Sequence, residues 1–198
     1  METFTDWHTA ATADAGLRER LPPATVDLLA DAIAFAAAKH GDQRRPTGAP
    51  YLEHLLEALQ ALVEGARVTD PDVLAAAVLH DLVEDTDVTP DEIAARFGPK
   101  IAELVGWVTI PEPEPGEDKA QVKIASFKHL AGAPREAKLV KLADRLSNAQ
   151  GLRNLKRPER QRAYYAQTVD YIMPLAAGEP WFAAWYADWQ AAHADLGS

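Results

Sequence analysis

Apolar residues recur at spacings of three and four along most of this chain, and no stretch alternates with a period of two. That pattern predicts helices nearly throughout. A strong helix is expected over residues 25–39, stopped by Gly41, and a second over 51–64 with Leu52, Leu55, Leu56, Leu59, Leu62 and Val63 as its buried stripe. Asp70 reads as the cap of a third, with Pro71 at its first position, and residues 73–82 are so apolar that this helix should be central. Thr89 and Glu92 read as a capping box for a helix ending at Gly98, and Pro99 starts another reaching about Val108. The run IPEPEPG over 110–116 fits neither helix nor strand and is expected as an exposed loop. Further helices are expected over 118–130, 135–150, 158–175 and 180–193. In the last, Trp181, Trp185 and Trp189 fall on one stripe that should dock the C-terminus on the core. Residues 1–22 read as a frayed arm with a short helix over 13–20, broken by Pro22-Pro23. The expectation is an all-α fold: one helical bundle over 23–198, preceded by the arm.

Length and composition narrow the class. At 198 residues with 47% hydrophobic content, one domain with a proper core is expected. With no cysteine there is neither a disulfide scaffold nor a thiolate metal site, which fits a reducing, cytoplasmic setting. No basic-then-apolar leader opens the chain, and no apolar run is long enough to span a membrane. A net charge of −10 argues against nucleic acid or a membrane surface as partner. Yet residues 119–162 hold 12 of the 20 Lys and Arg against only three acids, so a small anionic ligand held in one place is expected. The alternative is a solvated basic face. Whether the chain forms a homo-oligomer is left open.

The chemistry gathers at the end of the apolar helix. His80 and Asp81 stand side by side there, with Glu84 and Asp85 one helical turn later. Such groups are costly to bury unless something cationic binds among them. Adjacent imidazole and carboxylate suit a borderline divalent ion, and two ligands are too few. His54, inside an apolar helix, and Asp144, an acid among apolar neighbours, are candidates to join them; Asn148 shares a face with Asp144. A sulfur-free His/Asp set suits manganese, iron or zinc and lowers the pKa of water towards about 7. Glu84 and Asp85 are placed to act as general acid/base. Lys141, Arg145 and Arg160 of the basic block are candidates for phosphate.

The motifs HGDQRR (40–45), GAPYLEH (48–54), LHDLVEDT (79–86), FG (97–98) and KLVKLADRLSN (138–148) follow one another in order. Together they resemble the hydrolase domain of RelA/SpoT-type alarmone enzymes, and more closely the stand-alone, Mesh-like small alarmone hydrolases of the HD-domain family. The resemblance covers about residues 30–175. It implies an all-helical fold with one Mn²⁺ on His54, His80, Asp81 and Asp144, and Glu84 and Asp85 as the acid/base pair. It also implies a nucleotide site that includes Arg45, Asn148 and Tyr164. The implied reaction removes the 3′-diphosphate of (p)ppGpp or (p)ppApp as pyrophosphate.

The chain departs from that pattern at Pro46, where Mesh-type relatives carry a lysine, and at Ser147, Gln150 and Gly151 in LSNAQG, where the long enzymes typically read LHNMRT. The altered 146–151 segment motivates an alternative: the same phosphohydrolase chemistry on NADPH or a nucleoside 5′-phosphate. A nucleotide-binding module without catalysis is a third reading. It conflicts with the complete set of ligand and acid/base positions.

Overall fold

The apolar run of the third expected helix sits at the centre of the molecule. In the computed structural model, which describes residues 1–197, every residue from 73 to 79 is buried. Ser198, the last residue of the expected 23–198 domain, lies outside them. This helix, α4 (Pro71–Leu79), is one of eleven α-helices: α1 (Ala10–Arg18), α2 (Pro23–His40), α3 (Tyr51–Gln60), α5 (Leu82–Asp85), α6 (Pro90–Phe97), α7 (Pro99–Val108), α8 (Lys119–Leu130), α9 (Arg135–Gln150), α10 (Pro158–Gln167) and α11 (Pro180–Ala192) complete the set. Among the described residues there is no strand, only one isolated bridge between Arg44 and Pro50. Among the same described residues no helix is long and apolar enough to cross a membrane.

Four helices surround α4: α2, α3, α7 and α9. An element buried on every side has no room for a polar face, which is why its sequence is apolar all round. Asp70 caps it through its side chain, accepting from the backbone of Asp72 and Val73. At Thr89 only half of the expected capping box forms. The threonine accepts from the Glu92 backbone, but the Glu92 carboxylate lies 3.4 Å from Lys39 on α2 instead.

Two expectations change in the tertiary structure. The helix expected over 73–82 stops at Leu79, and His80 and Asp81 form a tight joint before the single turn of α5. Asp81 has φ −94° and ψ −3°, the bridge conformation common at functional joints. Residues 1–22 are not a frayed arm: Phe4 and Trp7 are buried, and α1 packs on α2 and α3. Gly16 makes that docking possible, since a Cβ there would lie 2.5 Å from the Trp7 ring. Gly65 likewise makes room for Trp181, whose ring would lie 2.2 Å from a Cβ. Trp185 and Trp189 are buried, so the tryptophan stripe of α11 docks the C-terminus as expected. The single helix expected over 158–175 is α10 followed by wider and then tighter turns (Thr168–Ile172, Met173–Gly178).

Candidate metal centre and its cavity

Helices α3 and α9 and the joint after α4 bring His54, His80, Asp81 and Asp144 together at the heart of the bundle. His54 Nε2 and His80 Nε2 lie 3.2 Å apart, and each is 3.2 Å from Asp81 Oδ2. Asp144 Oδ1 approaches them at 3.4 and 3.6 Å. Donor atoms on one ion with bonds of about 2.1 Å sit roughly 3.0–3.4 Å from their neighbours. His54, His80 and Asp81, whose donor atoms all lie within 4.8 Å of one another, therefore fit a divalent metal, and Asp144 adjoins them on the side of the two histidines.

Each donor is held from behind. The His80 Nδ1–H donates to the Ala77 carbonyl at 2.8 Å, and His54 Nδ1 bonds Ser147 Oγ at 2.8 Å. The Tyr51 hydroxyl donates to Asp81 Oδ2 at 2.6 Å. Asp144 accepts from Lys141 at 2.8 Å on one oxygen and from Asn148 at 2.9 Å on the other. Such outer contacts orient ligands and tune their basicity. Tyr51 is itself braced by His40, whose ring stacks on it at 4.5 Å and whose Nδ1–H donates to Gln43.

Electrostatics agree with the geometry. Burial alone would lower the imidazole pKa values, but the Asp81 and Asp144 carboxylates outweigh it, raising His54 and taking His80 well above its ordinary value. Burial alone would raise the two carboxyls; His80 and His54 hold Asp81 well below the usual range, and Lys141 with the histidines does the same for Asp144. A divalent cation bound there would have to displace the protons from the imidazoles.

One turn beyond the His80-Asp81 joint, Glu84 and Asp85 line a cavity of about 440 Å³ with residues 109–113 of the proline-rich segment and Lys119 and Lys123 of α8; none of the four donors lines it. The Ile110 backbone N–H donates to Glu84 Oε1 at 2.7 Å, so the proline-rich segment is pinned to a catalytic candidate. Burial raises the Glu84 pKa, against the pull of that N–H and of Lys141, while Asp81 and Asp144 push the same way as burial. Asp85 is exposed and receives Gln43 Nε2 at 3.5 Å.

The expected nucleotide ligands divide. Lys141 is buried and paired with Asp144; burial would lower its pKa, but Asp144 outweighs this and keeps the ammonium charged. Asn148 also lies on Asp144. Arg145 is buried, donating to Thr168 and to the Tyr164 carbonyl, with its guanidinium 3.5 Å from the Tyr164 ring. These two residues thus occupy each other. Arg45 is paired with Glu57 at 2.8 Å, and Arg160 is exposed on α10. Two departures in LSNAQG turn inward: Ser147 meets His54, and Gln150 binds the Phe4 backbone in both directions. The residue missed from sequence is Lys123. Burial lowers its pKa, as do Arg145 and Lys141 nearby, which marks it as a cation held among cations at the cavity wall. Only its place in the basic block could have signalled it.

A family model described as HD domain matches residues 32–180. The chain is 43% identical over 131 residues to the human guanosine-3′,5′-bis(diphosphate) 3′-pyrophosphohydrolase MESH1, covering 65% of this chain and 70% of that one. It is 38% identical over 146 residues to the guanosine-3′,5′-bis(diphosphate) 3′-pyrophosphohydrolase of Aquifex aeolicus, covering 73% of this chain but 20% of that longer one. The solved structure of a metazoan ortholog of SpoT that hydrolyses ppGpp superposes with a TM-score of 0.70 at 32% identity, covering 80% of this chain and 88% of that one.

Proposed function

The chain belongs to the HD domain family, and on that premise we propose that it is a metal-dependent phosphohydrolase that releases pyrophosphate from the 3′-diphosphate of (p)ppGpp or (p)ppApp, with Mn²⁺ as its ion. One observation carries the reading: four inward-facing donors from three chain segments meet one helical turn before Glu84 and Asp85, which line a cavity together with Glu112, Lys119 and Lys123. The relatives named as pyrophosphohydrolases, at 38–43% identity, support the same substrate class. A chain without cysteine supports a cytoplasmic setting.

The ion supplies an acidified water and a Lewis acid for the phosphoryl oxygens when bound. His54, His80, Asp81 and Asp144 are the residues that would hold it. Glu84 and Asp85 form the acid/base pair. A carboxylate whose pKa is raised above its ordinary value takes a proton from the attacking water more readily and returns one to the departing ribose oxygen. Lys119 and Lys123 meet the anionic diphosphate across the cavity, and Lys141 keeps Asp144 ionised and aimed.

Purified protein with Mn²⁺, given ppGpp, pppGpp, ppApp and NADPH and its products separated, tests this. Pyrophosphate from one or more of the alarmones is expected. Inorganic phosphate as the product, or turnover of NADPH alone, would replace this reading with the alternative nucleotide phosphohydrolase. The segment that motivates that alternative turns inward at two of its departures, Ser147 bonding His54 and Glu57 and Gln150 bonding the Phe4 backbone.

A further inference from the structure

The bundle buries one acid that this chemistry does not use. Glu57 lies on α3 one turn beyond His54 and is 8% exposed. Its Oε2 accepts from two sides, from Arg45 Nη1 at 2.8 Å and from the Ser147 hydroxyl. Ser147 is fully buried, and its oxygen also lies 2.8 Å from His54 Nδ1. A chain of four side chains therefore runs from the 44–50 turn at the surface to a metal ligand.

Counting protons sets the direction of every bond in this chain. The Glu57 carboxylate only accepts, so the single hydroxyl proton of Ser147 goes to it. The lone pair left on Ser147 Oγ then faces His54, which must donate from Nδ1–H. That tautomer leaves Nε2 bare, on the side of His80, Asp81 and Asp144. His80 reaches the same state through a backbone carbonyl, Ala77, which no side-chain change can remove. His54 alone depends on side chains for its tautomer and ring angle.

We propose that Glu57 and Ser147 are positioning residues that lock His54 with its Nε2 lone pair towards the ion and couple Arg45 to the metal centre. This rests on the metal site proposed above. Burying a carboxylate is costly without such partners, and Arg45 and Ser147 together offset that cost. By linkage, order imposed on Arg45 by a bound nucleotide tightens the ion, and the ion orders Arg45.

Mn²⁺ affinity in the absence of substrate, read from the electron paramagnetic resonance signal of free Mn²⁺, tests the coupling apart from activity. Ser147→Ala and Glu57→Ala should each weaken binding by about 10- to 100-fold. Ser147→Thr, which keeps the hydroxyl, should stay near wild type, and Arg45→Ala should show a smaller loss. Because the residues act in series, the Ser147→Ala/Glu57→Ala double variant should be little worse than either single one. Wild-type affinity in both alanine variants, a threonine variant as weak as alanine, or additive losses would each overturn the relay. Ser147→Ala removes one oxygen from a fully packed site and carries the test alone if Glu57→Ala does not fold. No Mn²⁺ uptake by the wild type, or undiminished uptake by His80→Ala, would instead overturn the metal site itself.

Discussion

At the candidate metal centre each of the four candidate donors is held from behind by a protein group, whereas Lys119 and Lys123 of the cavity make no ion pair among the described residues. The first region is buried and its hydrogen bonds are closed within the protein. The second is lined by both signs of charge, Lys119 and Lys123 with Glu84, Asp85 and Glu112, and its lysines are not joined to those acids by ion pairs. The difference follows from what each must hold. An ion of fixed geometry rewards ligands that cannot move. A polyanionic substrate brings its own charge, and cations already neutralised by the protein would gain less from meeting it.

The contrast predicts effects of different kinds as well as sizes. Removing a donor should do most: Asp81→Asn or His80→Ala should abolish Mn²⁺ binding, with a loss well beyond the 10- to 100-fold typical of outer contacts, measured by metal titration and turnover together. Glu84→Ala belongs to the boundary between the regions. It should cost about 10²- to 10⁴-fold in kcat with Mn²⁺ affinity retained, so an unchanged rate would remove Glu84 from the acid/base pair. Lys123→Ala, in the second region, should raise KM by about 10- to 100-fold while leaving metal binding intact, as expected for one lost charged hydrogen bond. A fall in Mn²⁺ affinity instead would show that the two regions are not separate.

Acidity should divide them more gently. His54 and His80 have pKa values above the ordinary 6.5, so they hold protons to higher pH than free imidazole does. An incoming ion must displace those protons. Mn²⁺ affinity should therefore be level at pH above the raised histidine range and fall steadily as pH drops through and below it, as calorimetry at several pH values would record. Smallest for function should be Gly65→Ala, far from either region in its effect. The methyl group would press on Trp181 and cost about 1–3 kcal/mol of stability, lowering the melting temperature without changing KM.

Much of the site was legible before folding. Helix positions followed from apolar spacing, and His80-Asp81 at the end of an all-apolar segment announced buried charge that needed a cation. The joint that stops α4 at Leu79 was not legible, because residues 80–82 carry no glycine or proline to mark a break. Nor was the docking of residues 1–22, which turns on Gly16 leaving space for Trp7, a contact between side chains that local pattern does not encode.

The roles of the basic residues show the same limit. Charge counting placed Lys141, Arg145 and Lys123 in one basic block, and composition treats them alike. Only packing separates them: Lys141 against Asp144, Arg145 inside with Thr168 and Tyr164, Lys123 at the cavity wall. By itself the sequence determined the helical class and the His and Asp residue types that gather at the candidate metal centre, since periodicity and buried charge are properties of short stretches. The tertiary structure alone decided which charges are neutralised and which stay free, and that Ser147 and Glu57 stand behind His54. Those outcomes depend on distances between residues about 90 positions apart, and on which donor finds its acceptor first filled.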